Sequence, residues 1–335
     1  MRRVTIKDVA KDAQVSIATV SKVINDKGYV GKDTRDTVLK SIQRLGYSVN
    51  ANARSLKASK SNKIAVLTSD ISNPYLMSIA KDVEEMIRSL GSHMILLSHN
   101  DDPQLEREAL KIIMEQQVDA LVIIPTGENG DMIESIQKKN IPVIAIDRQV
   151  NEVDTDLIVD DNYYGSYECM HYLHRLGHET VGIIYGHERN SIGRERLYGA
   201  VDAVKELRMD DRESLVLEAD FKEAEAYRAT IELLMNPKPP TAIYSCNNTM
   251  TKGVLKAVRD QELRIPEDVS VIAFGDNVQW ELIEPKLTLM TQPMKRIGME
   301  ASIMLKNRLT LKEQFDVQKK VMKPSLVEGA SCKTI

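Results

Sequence analysis

Short apolar runs alternate with longer amphipathic stretches over most of the chain, from Ile64 to Phe274. The runs have the length and the branched residues of buried strands, and the stretches repeat apolar residues at helical spacing. The predicted strands are Ile64–Thr68, Met94–Leu97, Ala120–Ile124, Val143–Ile146, Leu157–Val159, Val181–Ile184, Ala242–Tyr244 and Val269–Phe274. The predicted helices are roughly Pro74–Leu90, Pro103–Gln116, Met132–Lys139, Tyr163–Leu176, Arg194–Leu207, Glu223–Met235 and Thr249–Asp260.

This alternation predicts an α/β fold with parallel sheets. Strands that are apolar along their whole length are covered on both faces, as in a doubly wound sheet with helices on each side. The region from Ile64 to the end of the chain, more than 260 residues, exceeds one comfortable core, so we expect two such lobes.

The N-terminal region has a different pattern. A first short helix follows the candidate N-cap Thr5, and a second follows Ser16 after a tight turn. A third helix, Lys32–Leu45, closes a miniature core and ends at Gly46. Two short helices joined this tightly predict a helix-turn-helix headpiece, whose second helix enters the major groove of DNA.

Charge is segregated along the chain. The first sixty residues carry 13 Lys and Arg against five Asp, whereas the other 275 residues carry 32 basic and 44 acidic residues. This asymmetry indicates a small module that binds a polyanion, attached to a body that repels one. The alternative, an ordinary amphipathic helix pair, does not account for the segregation.

The first turn of the second helix is predicted to read the DNA. It comprises Ser16, Ile17, Ala18 and Thr19, with Lys22 one turn further on. Ile17 and Ala18 cannot hydrogen-bond a base edge, so we expect them to contact thymine methyl groups. Lys22 would reach either a guanine or a phosphate.

Polar side chains follow the strand ends, where two lobes of this kind enclose a crevice. Carboxylates, amides and guanidinium groups around one tryptophan suit a sugar or sugar acid, because planar polar groups bind hydroxyl pairs. The alternative is structural: these groups cap helices, or Asp147 or Arg196 forms an ion pair. The candidates are Asp70, Asn73, Tyr75, Asp147, Arg148, Asp161, Asn162, Arg196, Asn247, Asn248, Asp276 and Trp280.

The chain also resembles the lactose/galactose repressor family (LacI/GalR) of bacterial transcription regulators along essentially its whole length. The matching features are Thr5-Ile-Lys-Asp-Val-Ala, Val15-Ser-Ile-Ala-Thr-Val-Ser, Asn25, Leu45-Gly-Tyr-Ser-Val-Asn50, Ala53-Arg-Ser-Leu56, Asn73-Pro-Tyr, Asp147-Arg, Asp161-Asn, Arg196-Leu-Tyr-Gly199, Asn247, Leu287-Thr288 and Gln292-Pro293. The resemblance implies a helix-turn-helix domain (1–48), a hinge helix and linker (49–62), and a two-lobed, periplasmic-binding-protein-like effector and dimerisation domain (63–335).

The resemblance also implies roles for individual residues. Leu56 would lie on the hinge helix and wedge between base steps in the minor groove. The expected DNA contacts are Thr5, Ser16, Ile17, Ala18, Thr19, Lys22, Asn25, Tyr29, Thr34, Tyr47, Asn50, Ala53 and Leu56. Tyr75, Asp147, Arg196, Asn247 and Gln292 would contact the effector, to which the strand ends add Asn73, Asp161, Asp276 and Trp280.

Five positions depart from the family pattern. Val49 stands where Pro is usual, and Lys22 replaces an Arg, which loses a bidentate contact to guanine. Gly275 lacks a carboxylate that often binds ligand, and Asn248 stands where Asp is usual. Glu328 replaces an Arg near the C-terminal end, and this departure affects the structure and not the effector contacts.

Several classes of protein are not favoured. No apolar run reaches the ~18 residues of a membrane span, and the N-terminus lacks a secretory pattern. The three cysteines are widely spaced and form no disulfide pattern, which is typical of proteins in the reducing cytoplasm. No nucleotide-binding or hydrolase motif is present, and His171, His174 and His178 are expected to be surface residues, not metal ligands.

The leading hypothesis is therefore a cytoplasmic transcription regulator, most simply a repressor, that acts without a cofactor. A homodimer would bind a pseudo-palindromic double-stranded DNA operator under the control of a small sugar or sugar acid. A nucleoside, or a partner protein as co-repressor, is the alternative to the sugar. The alternatives are a solute-binding protein for sugar uptake, which could share the two-lobed body, and a sugar enzyme.

Overall fold

A computed structural model describes residues 4–25, 28–47, 61–275, 280, 282–311 and 316–335. The chain divides into two units, the head (residues 1–61) and the body (residues 62–335). Within the described ranges, no helix combines the length and apolarity needed to cross a membrane.

The described part of the head is helical. Its helices are α1 (Ile6–Asp12), α2 (Ile17–Asn25) and α3 (Lys32–Leu45). Val9, Val20 and Val38 are fully buried between them. Gly46 ends α3 with a φ of +63°, a left-handed conformation that favours glycine. The three predicted helices of the headpiece are confirmed.

The body consists of two lobes, each built on a six-stranded sheet with helices on both faces. The strands of lobe 1 are β1 (Lys63–Thr68), β2 (His93–Ser98), β3 (Ala120–Ile123), β4 (Val143–Ile146), β5 (Asp156–Asp160) and β11 (Lys319–Met322). They are all parallel, in the order β11-β5-β4-β3-β1-β2. The helices of lobe 1 are α4 (Pro74–Ser89), α5 (Pro103–Glu115), α6 (Gly130–Gln137) and α11 (Met294–Thr310).

Lobe 2 repeats this architecture. Its strands are β6 (Val181–Tyr185), β7 (Val216–Glu218), β8 (Ala242–Ser245), β9 (Ser270–Phe274), β10 (Thr288–Thr291) and β12 (Ser325–Val327). Their order is β12-β10-β9-β8-β6-β7, and β12 runs antiparallel to β10. The helices are α7 (Asn162–Arg175), α8 (Ser191–Glu206), α9 (Glu223–Leu234) and α10 (Asn248–Asp260), with a 3-10 turn at Glu213–Leu215.

Burial on both faces explains why the strands are apolar throughout. In β1, Ile64 and Val66 pack in the core formed with α4 and α11, whereas Ala65 and Leu67 pack in the core formed with α5 and α6. Successive side chains of a strand point to opposite faces, so a doubly covered strand needs apolar residues at every position. The predicted two-lobed doubly wound fold is confirmed.

The described chain crosses between the lobes at three places. β5 leads into α7 of lobe 2, β10 leads back into α11 of lobe 1, and β11 leads into β12 of lobe 2. The elements α11, β7, β10, β11 and β12 lie outside the predicted set. β11 and β12 are short edge strands with exposed side chains, so they lack the apolar signal of a buried strand.

The prediction that His178 lies at the surface is wrong. The side chain is buried, with Nδ1 2.8 Å from Thr241 Oγ1 and Nε2 3.0 Å from the carbonyl oxygen of Lys333. The C-terminal segment covers it, and the N–H of Ile335 donates to the carbonyl of Leu176. Burial lowers the pKa of His178, so the ring is neutral at pH 7.

Candidate functional site

The turn between α1 and α2 sets the position of the predicted reading helix. Gln14 in the turn has a φ of +52°, which reverses the chain within a few residues. The Ser16 hydroxyl oxygen then accepts from the N–H of Thr19 at 3.0 Å and so caps α2. The inward face of α2 carries the buried Val20 and Val23.

The outward face of α2 carries the predicted DNA contacts. The Ile17 side chain is 46% exposed, an unusual position for a branched apolar residue on a short helix. Ala18 and Lys22 are also exposed on α2, as is the capping residue Ser16, and Thr19 is half-buried. This geometry leaves Ile17 and Ala18 accessible to a base edge, as the sequence predicts.

The remaining DNA candidates have mixed environments. Thr5 caps α1, donating from its N–H and its hydroxyl to the Asp8 carboxylate at 2.8 and 2.7 Å. The Asn25 side chain donates to the carbonyl of Ser21 at 2.8 Å. Tyr29 is 94% exposed, whereas Thr34 and Tyr47 are half-buried. The predicted contacts Asn50, Ala53 and Leu56 lie outside the described residues.

In the body, a crevice of about 360 Å³ lies between the lobes at the carboxyl ends of the strands. Its polar lining comes from both lobes, as expected because ligands of parallel sheets bind outside the carboxyl ends of the strands. The predicted residues that line it are Asp70, Asn73, Tyr75, Asp147, Arg148, Arg196, Asn247, Asn248 and Gln292. Asp276 lies outside the described residues.

Arg196 is held rigidly in the lobe 2 wall. Its Nε donates to Asn162 Oδ1 at 2.8 Å, and its Nη1 donates to the carbonyl oxygen of Cys246 at 2.6 Å. The guanidinium carbon lies 3.7 Å from the ring centroid of Phe274. Arg196 is therefore fixed by an amide, a carbonyl and a ring, and the described contacts do not make it half of the ion pair that the structural alternative predicted.

A buried polar cluster forms the floor of the crevice beside the lobe crossings. The Tyr75 hydroxyl donates to Asp160 Oδ2 at 3.2 Å, and Gln292 Nε2 donates to the Tyr75 oxygen at 2.9 Å and to Asp160. Burial raises the pKa of Asp160 from 3.8 to about 6, against the opposing hydrogen bond from Gln292. Asp160 Oδ1 has no hydrogen-bond partner. Burial also raises the pKa of Asp147, despite the nearby charges of Arg148 and Arg196.

Arg148 forms a bidentate pair with a neighbour in its own lobe. Its Nη1 and Nη2 donate to the two carboxylate oxygens of Asp101, the second at 3.2 Å. Burial opposes ionisation of Asp101, but Arg148 lowers the pKa of that carboxyl below its usual value. The pair therefore stays charged at neutral pH.

Phe221 is a crevice residue that the sequence did not reveal. It follows the three-residue strand β7 with a φ of +56° and lines the crevice from lobe 2. A Cβ at Gly186 would lie 2.2 Å from its ring, so only glycine at that position allows the ring to sit there. The scarcity of phenylalanine, with three in the chain, is the one sequence signal that could have drawn attention to it.

Two predicted crevice residues are structural instead. Asp161 caps α7, its side chain accepting from the N–H of Tyr164 at 3.0 Å, and it does not line the crevice. Trp280 is only 4% exposed, packs against Leu287 and Leu289, and does not line the crevice. Its Nε1 donates to Asn248 Oδ1 at 2.9 Å and thereby supports a crevice residue from behind.

Two asparagines both cap a helix and line the crevice. Asn73 caps α4 by accepting from the N–H of Tyr75, and Asn247 caps α10 by accepting from the N–H of Met250. Both also line the crevice. A capped helix start therefore fixes each amide at the ligand surface.

Metal chemistry finds no support in the described ranges, where no three His, Cys, Asp or Glu side chains cluster as a metal site. The crevice instead offers carboxylates, amides and an arginine at fixed positions. Such groups bind hydroxyl-rich molecules by paired hydrogen bonds.

Comparison with protein families assigns both units. Residues 5–50 match the family described as "Bacterial regulatory proteins, lacI family", and residues 170–332 match the "Periplasmic binding protein-like domain". The HTH-type transcriptional repressor PurR of Haemophilus influenzae is 34% identical over 311 residues, which cover 92% of each chain.

Solved structures share the fold. The transcriptional regulator CelR in complex with cellobiose has a TM-score of 0.73 and 25% identity, over 98% of this chain and 100% of the other. The Lac repressor dimer bound to operator and the anti-inducer ONPF has a TM-score of 0.79 and 22% identity, over 99% of this chain and 100% of the other.

Proposed function

Because this chain belongs to the LacI family of bacterial regulatory proteins, we propose that it represses transcription under the control of a sugar bound in the crevice. Membership of the family makes it a DNA-binding transcriptional regulator and not an enzyme. The identity of the effector, and whether its binding weakens or strengthens operator binding, have to be inferred from the crevice.

The observation that carries the proposal is the composition of the crevice walls. Lobe 1 contributes Tyr75 and Asp147, and lobe 2 contributes Arg196 and Asn247. A molecule bound to both walls stabilises the lobe arrangement in which those walls face each other. Such coupling is typically about 1–3 kcal/mol, which changes operator occupancy several-fold to a hundredfold.

Sugars fit these walls better than apolar ligands do. The polar side chains of Asp147, Arg196 and Gln292 line the crevice, and an apolar ligand would remove them from water without offering hydrogen bonds in return. Phe221 adds a flat apolar face to which the C–H side of a sugar ring can pack. CelR, whose structure contains cellobiose, shares this fold at 25% identity.

The head is proposed to read the operator through the exposed face of α2. Ile17 and Ala18 would contact thymine methyl groups, and residues 49–62 would form the hinge, with Leu56 in the minor groove. Two heads of a homodimer would bind the halves of a pseudo-palindrome in the cytoplasm. The alternative, a solute-binding protein for sugar uptake, does not account for the basic helix-turn-helix head.

A direct test selects operator sequences with the full-length protein from random duplex DNA and measures affinity by gel shift. Addition of the effector should change that affinity at least fivefold, because the coupling acts through the lobes. Ile17→Asp is the control, since the exposed charge would oppose DNA without disturbing the core. Failure to enrich any sequence, with or without sugars, would contradict the proposal.

A further inference from the structure

Asn162 connects a crevice residue to the backbone of a lobe crossing. It is the first residue of α7, directly after the crossing from β5, and it is buried, with 2% of its surface exposed. It does not line the crevice itself. Its Oδ1 accepts from Arg196 Nε at 2.8 Å, and its Nδ2 donates to the carbonyl oxygen of Asp160 at 3.1 Å. One side chain therefore contacts both the effector wall and the crossing.

The two partners fix which way the amide faces. A guanidinium group has only donors, so the atom of Asn162 that faces Arg196 has to be the oxygen. A backbone carbonyl only accepts, so the atom that faces Asp160 has to be the nitrogen. An aspartate of the same shape would offer two acceptors and no donor. The pair of partners therefore specifies an amide at this position.

The start of α7 does not need this amide, because Asp161 caps the helix. The described side-chain bonds of Asn162 go to Arg196, to Asp160 and, at 3.4 Å, to Glu195 Oε2. None of these bonds goes to the backbone of α7. An interpretation of Asn162 as a helix-start residue therefore does not account for its contacts.

The crossing at Asp160 is tied to the other two crossings. The Asp160 carboxylate accepts from Gln292, which follows β10 in the second crossing. The N–H of Asp161 donates at 2.8 Å to the carbonyl of Met322, the last residue of β11 in the third crossing. A displacement of the backbone at Asp160 would therefore affect all three connections between the lobes.

Arg196 has three described partners, and only one of them leads to a crossing. The Cys246 carbonyl follows β8, and the Phe274 ring lies at the end of β9, so both hold Arg196 to the sheet of lobe 2. The bond to Asn162 is the one that reaches the chain segment between the lobes. A movement of the guanidinium can act on this segment through Asn162.

From these contacts we infer that Asn162 is a positioning residue that couples effector binding to the arrangement of the lobes. A ligand that binds Arg196 acts on the crossing through the Asn162 amide, and the crossing sets how the two walls of the crevice face each other. The inference rests on the proposed function, in which the effector contacts Arg196. It deepens that function by naming the residue that transmits the binding to the crossing.

The test measures the coupling between effector and operator in the full-length protein. The probes are ribose, glucose, galactose, cellobiose and glucuronate, and the operator is the duplex selected from random DNA. Gel shifts with and without a saturating probe give two operator affinities, whose ratio is the coupling factor. Titration calorimetry gives the affinity for the probe. The natural chain should show a coupling factor of at least about fivefold.

Asn162→Asp separates the two bonds of the amide. The carboxylate keeps an oxygen for Arg196 Nε but replaces the donor to Asp160 by a second oxygen. The affinity for the probe should stay within about threefold of its natural value, because Arg196 is still held. The coupling factor should fall below about twofold, because the link to the crossing is lost. A purely structural role would change stability or both affinities and leave this ratio unchanged.

Two further variants complete the test. Asn162→Ala removes both bonds, so the probe should bind about tenfold more weakly, because the buried Arg196 Nε loses its partner. Its coupling factor should also fall below about twofold. Glu195→Gln is the matched control, since it changes the neighbour 3.4 Å from Asn162 and leaves both bonds intact. This control should keep both the probe affinity and the coupling factor.

The outcomes separate the inference from the proposed function. A natural coupling factor in Asn162→Asp, or in Asn162→Ala if the first variant does not fold, would overturn the inference and leave the proposed function intact. The same conclusion follows if Glu195→Gln abolishes the coupling as completely as Asn162→Asp does. If no probe binds the natural chain, or none that binds changes its operator affinity, the sugar-controlled function itself is wrong, and the inference falls with it.

Discussion

The guanidinium carbon of Arg196 lies 3.7 Å from the ring centroid of Phe274, so the charged group lies directly on an aromatic face in the lobe 2 wall. Two further contacts, to Asn162 and to the Cys246 carbonyl, fix the plane of the guanidinium. Lysine cannot reproduce this arrangement, because its ammonium is a point charge without a planar fork.

Arg196→Lys is therefore expected to lower effector affinity at least tenfold while leaving operator binding without effector unchanged. Calorimetry with a panel of neutral sugars and sugar acids would measure the effector affinity, and a gel shift would measure operator binding. Arg194→Lys, on the same helix but outside the crevice, is the matched control. Equal losses in both variants would mean that Arg196 does not contact the effector.

Asp160 predicts an unusual dependence of stability on pH. Its folded-state pKa of about 6 lies above the ordinary value of 3.8, so the folded protein holds this proton more tightly than the unfolded chain does. The stabilisation is complete below pH 4 and is lost as the pH rises to 6, a change of about 3 kcal/mol.

Asp160→Asn is neutral at every pH, so its stability relative to the natural chain should rise by about 3 kcal/mol between pH 4 and pH 7.5. Urea unfolding at several pH values would measure this. Asp131→Asn is a control of opposite sign, because the hydrogen bond from Arg107 lowers the pKa of Asp131. Parallel pH profiles for the natural chain and Asp160→Asn would contradict the raised pKa.

Two neighbouring positions on α2 separate recognition from packing. Ile17 is exposed and Val20 is fully buried. Ile17→Ala should weaken specific operator binding about tenfold with little change in stability. Val20→Ala should lower the free energy of unfolding of the head by about 2 kcal/mol. Urea unfolding and gel shifts on both variants would reveal whether the outward face is the reading face.

The role of Lys22 can be decided by salt. Affinity for the operator should fall steeply with salt, because the basic head displaces counterions from phosphates. If Lys22 contacts a phosphate, Lys22→Ala should reduce the slope of log affinity against log salt by about one for every DNA sequence. An unchanged slope with relaxed preference at one base pair would instead assign Lys22 to a guanine.

Trp280 offers an intrinsic signal, since it is the single tryptophan of the chain. The indole is buried, so acrylamide should quench its fluorescence poorly. Asn248, which accepts from Trp280 Nε1 at 2.9 Å, also lines the crevice, so effector binding should alter the emission intensity without increasing quenching. Efficient quenching of the free protein would contradict the buried position.

The sequence predicted most of the fold because the central strands are buried on both faces. A run such as that of β1, in which Ile64 through Leu67 are all buried, has no other simple explanation. The edge strand β11 escaped this reasoning because Val321 is 54% exposed and follows two lysines. Edge strands are stabilised by backbone pairing more than by burial, so their sequences carry little apolar pattern.

The crevice was predictable where a residue directly follows a strand, as Asp147 does after β4. The rule failed at Asp161, which follows β5 directly but caps α7 and does not line the crevice. The position of Phe221 in the crevice depends on a positive φ after the very short strand β7, and the sequence pattern does not reveal this conformation. The position of Trp280 depends on tertiary packing against Leu287 and Leu289, which the sequence pattern does not indicate.

The three chain crossings between the lobes have a mechanical consequence. A single connection would let the lobes swivel in any direction, whereas three connections side by side permit bending about one axis and resist twisting. Ligand-driven closure of the crevice is then a movement with one degree of freedom. Every ligand that closed the crevice would therefore produce the same movement, because the three connections allow no other.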